Sequence, residues 1–370
     1  MKRVLLLNQK EFTYDQISNE RFDYEGLSDF EKDTLIFCKD WLNGKEFFEL
    51  HTSGSTGTPK KIIITRHQMV ASARLTIKKL SLSPGDAAFV CLDTAYVGGK
   101  MMLVRAFEGD MNMTIVSPCS NPLKNFNTDS RFDFTAMIPM QLKNSLGEDT
   151  AKVGILNRMK AIIIGGGAID SQLEEALQVI KAPVYSTYGM TETVSHIALK
   201  KMNEPSKADF FTAFEGVNIA QDERGCLTIN SLVTNNETII TNDLVEIIDE
   251  QSFQWIGRID NVINSGGIKI NAEKLEHQIA DVAGDLLSER RFIIVGIKDA
   301  TLGEKVVLLI EGKPLPEHLN SALVERLKAG LPVFHSPKNI FYLPRFLETE
   351  TGKVMRDLNV AALSNQRSDN

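Results

Sequence analysis

Cysteine and tryptophan are scarce in this chain: four of one and two of the other in 370 residues. Cys38, Cys91, Cys119 and Cys226 stand far apart with no C-x-x-C spacing, which argues against a cysteine-held zinc site, a dithiol redox motif or a disulfide scaffold. With no secretory leader at the start, they read as reduced thiols of a cytoplasmic protein. Long apolar runs are missing as well. "KAIIIGGGAI" is among the longest, far short of the roughly 20 residues that cross a bilayer. Basic residues are outnumbered, 41 Lys and Arg against 48 Asp and Glu. That balance argues against a general nucleic-acid binder but leaves room for a local anion pocket. No internal repeat or low-complexity tract occurs. What remains, 43% hydrophobic and 24% charged residues, suits a globular chain with a sizeable core and two domains.

The pattern along the chain is that of α/β layers. Ser28 followed by Glu31 has the form of a capping box opening a helix through "FEKDTLIFCKDWLNG", with Gly44 as its stop. "RHQMVASARLTIKKLSL" reads as a helix ended by Pro84-Gly85. The short apolar strands "AAFVCL", "MTIVS", "FTAMIP", "AIIIGGG" and "PVYSTYG" then alternate with helical segments, which implies a buried, largely parallel sheet. Beyond residue 215, "GCLTIN", "ETIIT", "LVEII" and "FQWIG" are closely spaced strands of an antiparallel meander or small barrel. After Gly257-Arg258 the helix "AEKLEHQIADVA", strands "RFIIVGI" and "KVVLLIE" and helix "LNSALVERLKAGL" form a compact α+β set. The expected organisation is a large N-terminal α/β domain, 1–259, and a small α+β domain, 260–370, joined at Asp260.

"HTSGSTGTPKK", residues 51–61, lies between two strand-like stretches. Gly54 and Lys60 have the spacing of a nucleotide P-loop, but Pro59 replaces the second glycine and Lys61 the hydroxyl residue. "KIIIT" then continues as a β-branched strand where a helix should open, so this is a loop between strands. Its glycines, hydroxyls and lysines suit a phosphate. A polar hairpin turn explains the loop alone equally well.

Further stretches change that balance. "STYGMTET" (186–193), "IITNDLVEI" (239–247), "GRIDNVINSGGIKINAEKLE" (257–276) and "ETETGKVMR" (348–356) follow the loop in this order. Together they resemble the adenylate-forming superfamily of acyl-CoA synthetases, luciferases and peptide-synthetase adenylation domains, over residues 50–356. The resemblance implies that a carboxylate attacks the α-phosphorus of ATP, pyrophosphate leaves, and the acyl-adenylate then meets a thiol. It places Thr52, Ser53, Gly54, Ser55, Thr56, Gly57 and Lys60 around the β- and γ-phosphates. Thr191 is similar to the hydroxyl at the α-phosphate, and Glu192 to the Mg²⁺ carboxylate. Gly165, Gly166 and Gly167 resemble the adenine-binding turn, although a plain strand-to-helix turn would use the same residues. Tyr188 and Gly189 belong to the nucleotide motif, and Asp243 with Arg258 to the ribose hydroxyls. Lys353 corresponds to the lysine at the adenylate-forming centre, and Asp260 to the hinge of a mobile C-terminal domain. Gly266 and Gly267 correspond to the turn lining the pantetheine channel; a tight turn is their simpler explanation.

The sequence also departs from the family. His51 stands where an aromatic is usual, Asn242 where T-G-D has glycine, and Ala272 where proline is common. The loop begins only about fifty residues into the chain, so most of the family's N-terminal lobe is expected to be missing. That shortness and the wording of "YGMTETVSHIALK" and "DNVINSGGIKI" are closest to the bacterial o-succinylbenzoate–CoA ligases of menaquinone biosynthesis. The implied reactants are ATP with Mg²⁺, an aryl dicarboxylate and coenzyme A; a carrier-protein thiol, another acyl-CoA ligase and a non-catalytic nucleotide-binding homologue are the alternatives. Tyr96, Gly98, Gly99 and Lys100 fall in the segment near the acyl pocket, and Ser195, His196 and Lys100 are candidates for the carboxylate that is not activated. A surface or core histidine and a solvated lysine are the plainer readings of His196 and Lys100. Neither nucleic acid nor a membrane span is expected as a partner, and a homo-oligomer is compatible with the sequence.

Overall fold

The structure is a computed structural model that describes residues 3–51, 61–147, 152–167, 169–287, 290–349 and 354–368. Among these, most strands join one 13-stranded sheet. Its parallel block runs through Val4–Leu7, Asn112–Ile115, Ala87–Val90, Phe134–Met137, Ala161–Ile164 and Val184–Gly189. Phe134–Met137 and Ala161–Ile164 are buried along their whole length, as strands covered by helices on both faces must be. Neighbouring residues serve opposite faces: Ile162 and Ile164 pack with Leu142, Leu173 and Leu177, whereas Ala161 and Ile163 join the core that contains Met101 and Leu103.

Past Val184–Gly189 the sheet turns antiparallel and continues through His196–Lys201, Phe211–Ala213, Ser252–Arg258, Ile239–Asp249, Cys226–Asn230 and Asn218–Gln221. The expected meander is therefore an extension of the parallel block, and no barrel closes among the described residues. A short N-terminal hairpin, Val4–Leu7 with Lys10–Thr13, adds the other edge. Its strands are too brief for their alternation to stand out in the sequence.

Local sequence sets the helix starts. Ser28 and Glu31 form the expected capping box on Asp29–Leu42, and Thr65 with Gln68 forms another on Arg66–Lys79. Gly44 takes positive φ just past the first of these helices. Phe47–His51 pairs with Lys61–Thr65 as a separate antiparallel hairpin, so the segment between them is an inter-strand connection and not a strand-to-helix P-loop.

A second, five-stranded sheet holds Ile268–Asn271, Val262–Ser265, Gly303–Glu311, Phe292–Asp299 and Asn339–Leu343. Helices Ala272–Leu287 and Glu317–Gly330 bury Leu275, Ile279, Leu323 and Leu327 against it. Along the chain, the 3-10 turn Ile259–Asn261 joins the last strand of the first sheet to the first strand of the second. No described helix is long and apolar enough to cross a membrane. Cys38, Cys91 and Cys226 are buried, Cys119 is exposed, and all have free thiols.

Candidate active site

The strand Val184–Gly189 delivers one half of the site. The motif "STYGMTET" begins inside this strand, at Ser186, and its second half is the 3-10 turn Thr191–Thr193. Gly189 is confined: a Cβ there would lie 2.3 Å from the Ser195 carbonyl oxygen. The turn ends at Val194, a buried β-branched residue with φ +64 and ψ −51, where the Ser195 amide donates to the Thr193 carbonyl at 2.6 Å. This is a positive-φ γ-turn, a conformation that costs on the order of 1–3 kcal/mol and persists only where its surroundings enforce it. Thr193 does the enforcing. It is fully buried, and its Oγ1 accepts from the Met190 amide and lies 3.0 Å from the Met190 carbonyl and 2.7 Å from that of Ser195. Thr191 and Glu192 are thereby held on one side of the kink, half-buried and exposed respectively, and Ser195 and His196 on the other.

Tyr188, Asp243 and Arg258 come together from three strands. Asp243 and Arg258 are direct cross-strand partners. The buried Tyr188 hydroxyl donates to Asp243 Oδ2 at 2.7 Å, and Trp255 Nε1 donates to Oδ1 at 3.4 Å. Burial, then the adjacent carboxylate, raises the Tyr188 pKa, so the phenol stays protonated and remains a donor. Arg258 lies 3.6 Å from Asp243 and only 2.6 Å from Asp260. Burial works against its charge, but the bond to Asp260 prevails and raises its pKa.

Gly165, Gly166 and Gly167 follow the strand Ala161–Ile164. A Cβ on Gly165 would meet Thr187 Oγ1 at 2.5 Å, and Gly166 takes φ +82, so the first two glycines meet backbone needs of the turn itself. Gly266 and Gly267 cap the hairpin Val262–Ser265/Ile268–Asn271 with φ +59 and +81, the two positive values of a type I′ turn. A Cβ on Gly267 would meet nothing within 4 Å.

The acyl-side candidates divide. Tyr96 is the N-cap of helix Val97–Glu108, which contains Gly98 and Gly99. A Cβ on Gly99 would lie 2.3 Å from the Asp93 carbonyl oxygen, so the space it frees is filled by backbone. Lys100 Nζ donates to the Ala95 carbonyl at 2.7 Å, and burial lowers its pKa. No described hydrogen bond takes it to His196. Ser195 and His196 instead meet a residue that sequence reasoning passed over, Arg105. This guanidinium is 2% exposed and has no carboxylate partner among the described residues. It donates to Ser195 Oγ at 2.8 Å and to Thr76 Oγ1 at 3.2 Å, and lies 3.3 Å from His196 Nδ1. His196 Nε2 is 3.1 Å from Thr76 Oγ1, which already receives the Arg105 Nε proton and gives its own to the Ser72 carbonyl. The network is satisfied by a neutral imidazole with its proton on Nε2. Burial, and secondarily Arg105, hold the His196 pKa well below its ordinary value, and burial pushes Arg105 down to about 9. The signal available in sequence was a single charge inside the uncharged run "MMLVRAF".

Thr52, Ser53, Gly54, Ser55, Thr56, Gly57, Lys60 and Lys353 lie outside the described residues. No group of three or more potential metal-ligating side chains occurs among the described residues. The exposed Glu192 carboxylate alone suits Mg²⁺ of the kind that keeps waters and substrate phosphates as its other ligands.

Comparison with known proteins identifies the family and the fold. The AMP-binding enzyme family model matches residues 45–228. An acyl-CoA synthetase (AMP-forming)/AMP-acid ligase II-like protein from Dyadobacter fermentans is 42% identical, with 92% of this chain and 96% of that one aligned and a TM-score of 0.62. The chain belongs to the AMP-binding enzyme family, in the superfamily of adenylate-forming acyl-CoA ligases. Among more distant relatives, the 2-succinylbenzoate–CoA ligase of Lactococcus lactis is 22% identical over 96% of this chain and 84% of its own. The o-succinylbenzoate coenzyme A synthetase of Bacillus subtilis, solved with ATP and magnesium ion, shares the fold at a TM-score of 0.68 and 21% identity, covering 84% of this chain and 68% of its own.

Proposed function

We propose that this chain joins o-succinylbenzoate to coenzyme A in two half-reactions. In the first, a carboxylate oxygen of the acid attacks the α-phosphorus of ATP and pyrophosphate departs. In the second, the thiol of coenzyme A attacks the acyl carbonyl and AMP departs. Tyr188, Asp243 and Arg258 provide a ribose-binding group, Gly165 to Gly167 a flat approach for adenine, and Thr191 a hydroxyl donor for the α-phosphate. Glu192 would hold Mg²⁺, which supplies positive charge against the phosphates. Lys353 would stabilise charge moving from carboxylate to phosphate, a transition-state role more than a ground-state one. The small domain beyond Asp260 would then rotate, exchanging Lys353 for the Gly266-Gly267 turn.

The observation that carries the choice of acid is Arg105. A buried cation with only neutral partners is costly unless an anion completes it, and o-succinylbenzoate has a second carboxylate that is not activated. Ser195, half-exposed and bonded to Arg105, is the available route from the guanidinium to a ligand. The reading is tested by replacing Arg105 with methionine and assaying thioester formation from a panel of acids. The KM for o-succinylbenzoate should rise on the order of tenfold or more, the cost of losing a charge-assisted hydrogen bond. Thermal stability should change little, because removal of a buried charge is set against the donor that Thr76, Ser195 and His196 lose. Turnover of long-chain fatty acids with none of the aryl dicarboxylate, or an unchanged KM, would sink it.

A further inference from the structure

Asn242 departs from the family's T-G-D pattern, and the structure gives its side chain work that a glycine cannot do. Its Nδ2 donates to both carboxylate oxygens of Asp260, at 3.1 and 3.2 Å. Its Oδ1 accepts from Arg224 NH1 at 3.2 Å, which fixes the amide's orientation. Arg224 is itself tied to Asp222 and to the Thr241 carbonyl. On the other side Asp260 Oδ2 takes the Arg258 guanidinium at 2.6 Å, and Arg258 reaches on to Asp243. A continuous polar chain therefore runs from the Asp222–Gly225 turn through Asn242 to Asp260, then to the Arg258–Asp243–Tyr188 group. Asp260 sits in the 3-10 turn through which the chain passes from one sheet to the other. Asn242 lies on the strand Ile239–Asp249 of the large sheet.

We propose that Asn242 is a positioning residue that pins the Asp260 turn to the large sheet and so sets the balance between the two half-reactions. This rests on the reading that the small domain moves about Asp260. Because Asp260 shares Arg258 with Asp243, the same contact links the state of the turn to the ribose-binding group. The contact is made by a side-chain amide outside the core, so a substitution can release Asp260 without opening packed structure.

The test uses Asn242→Asp, Asn242→Ala and the exchanged pair Asn242→Asp with Asp260→Asn. Asn242→Asp keeps the oxygen that serves Arg224 but turns a second carboxylate toward Asp260. The exchanged pair restores an amide–carboxylate contact with its direction reversed and keeps an oxygen for Arg258. Backbone amide exchange of residues 258–262 reads the pin directly. Single-turnover rates of adenylation, and of thioester formation from supplied acyl-adenylate, read its consequence. Asn242→Asp should accelerate exchange and change the ratio of the two rates by about tenfold. Asn242→Ala should change it by about threefold, in keeping with coupling between residues in direct contact. The exchanged pair should return both readouts toward wild type. Unchanged amide exchange in both single variants would overturn the pin. Altered exchange with a constant rate ratio, or no recovery in the exchanged pair, would overturn the positioning role. Lys353→Ala and Gly267→Leu, measured alongside, report on domain movement itself: equal damage to both half-reactions by each would remove that reading whatever the Asn242 variants do.

Discussion

At the scale of single residues, the site depends on groups buried in unusual states. His196 is neutral because burial and Arg105 disfavour its charged form, so it gains no proton in the folded chain at pH values where it would be protonated in the unfolded one. The sign follows: the contribution is favourable above the ordinary histidine value of 6.5 and is lost as pH falls below it toward the depressed folded value. His196→Gln should therefore flatten the fall in stability below about pH 6.5, by up to roughly 1.4 kcal/mol per pH unit. Chemical denaturation between pH 5 and 7.5 checks this; an identical slope in wild type and variant would show that His196 already carries a proton. Ser195 and His196 were legible as candidates because the carboxylate that is not activated would need a donor or cation. Arg105 was not. It sits in a helix whose first turn holds two glycines, a poor advertisement for helix, and only the folded arrangement shows that Arg105 has no acid beside it among the described residues.

At the scale of elements, three strands assemble the group proposed to hold the ribose. The pairing of Ile239–Asp249 with Ser252–Arg258 makes Asp243 and Arg258 neighbours, and Val184–Gly189 brings Tyr188 to the same carboxylate. Asp243→Ala should cost on the order of 1.5–3 kcal/mol in ATP affinity by removing the charged acceptor. It should also lower stability by about 1–3 kcal/mol by orphaning the buried Tyr188 hydroxyl. Calorimetric titration and thermal unfolding measure the two separately, and full nucleotide affinity in a folded variant would contradict the assignment. The alternation and capping signals of these elements were plain in the sequence. The γ-turn at Val194 was not, because nothing in a valine announces positive φ; it is imposed by Thr193 and the strand pairing around it. Nor was the continuity of meander and parallel block, which depends on His196–Lys201 pairing back onto Val184–Gly189.

At the scale of the whole molecule, the sequence motifs lie far apart along the chain, and the fold draws several of them to the end of one sheet and the turn beyond it. Order along the chain was enough to read the superfamily; the contacts among Tyr188, Asp243, Arg258, Asp260 and Asn242 needed three dimensions. If the small domain alternates as proposed, Lys353→Ala should lose adenylation by orders of magnitude yet still convert supplied acyl-adenylate to thioester. Gly267→Leu, with open space around the site but a backbone at positive φ, should retain adenylation and lose thioester formation. Rapid-quench assays of each half-reaction separate these failures, and loss of both steps in both variants would contradict alternation.

The central claim, that the chain activates a carboxylate through an adenylate, is tested most directly by exchange of labelled pyrophosphate into ATP. With Mg-ATP and o-succinylbenzoate, exchange should be rapid, should require the acid, and should proceed without coenzyme A. Once the thiol is added, AMP and pyrophosphate should accumulate. Exchange should fall sharply in Glu192→Gln at low magnesium. Formation of ADP or free phosphate in place of AMP, or binding of ATP with no acid-dependent exchange for any member of a panel of aryl and aliphatic acids, would contradict the account.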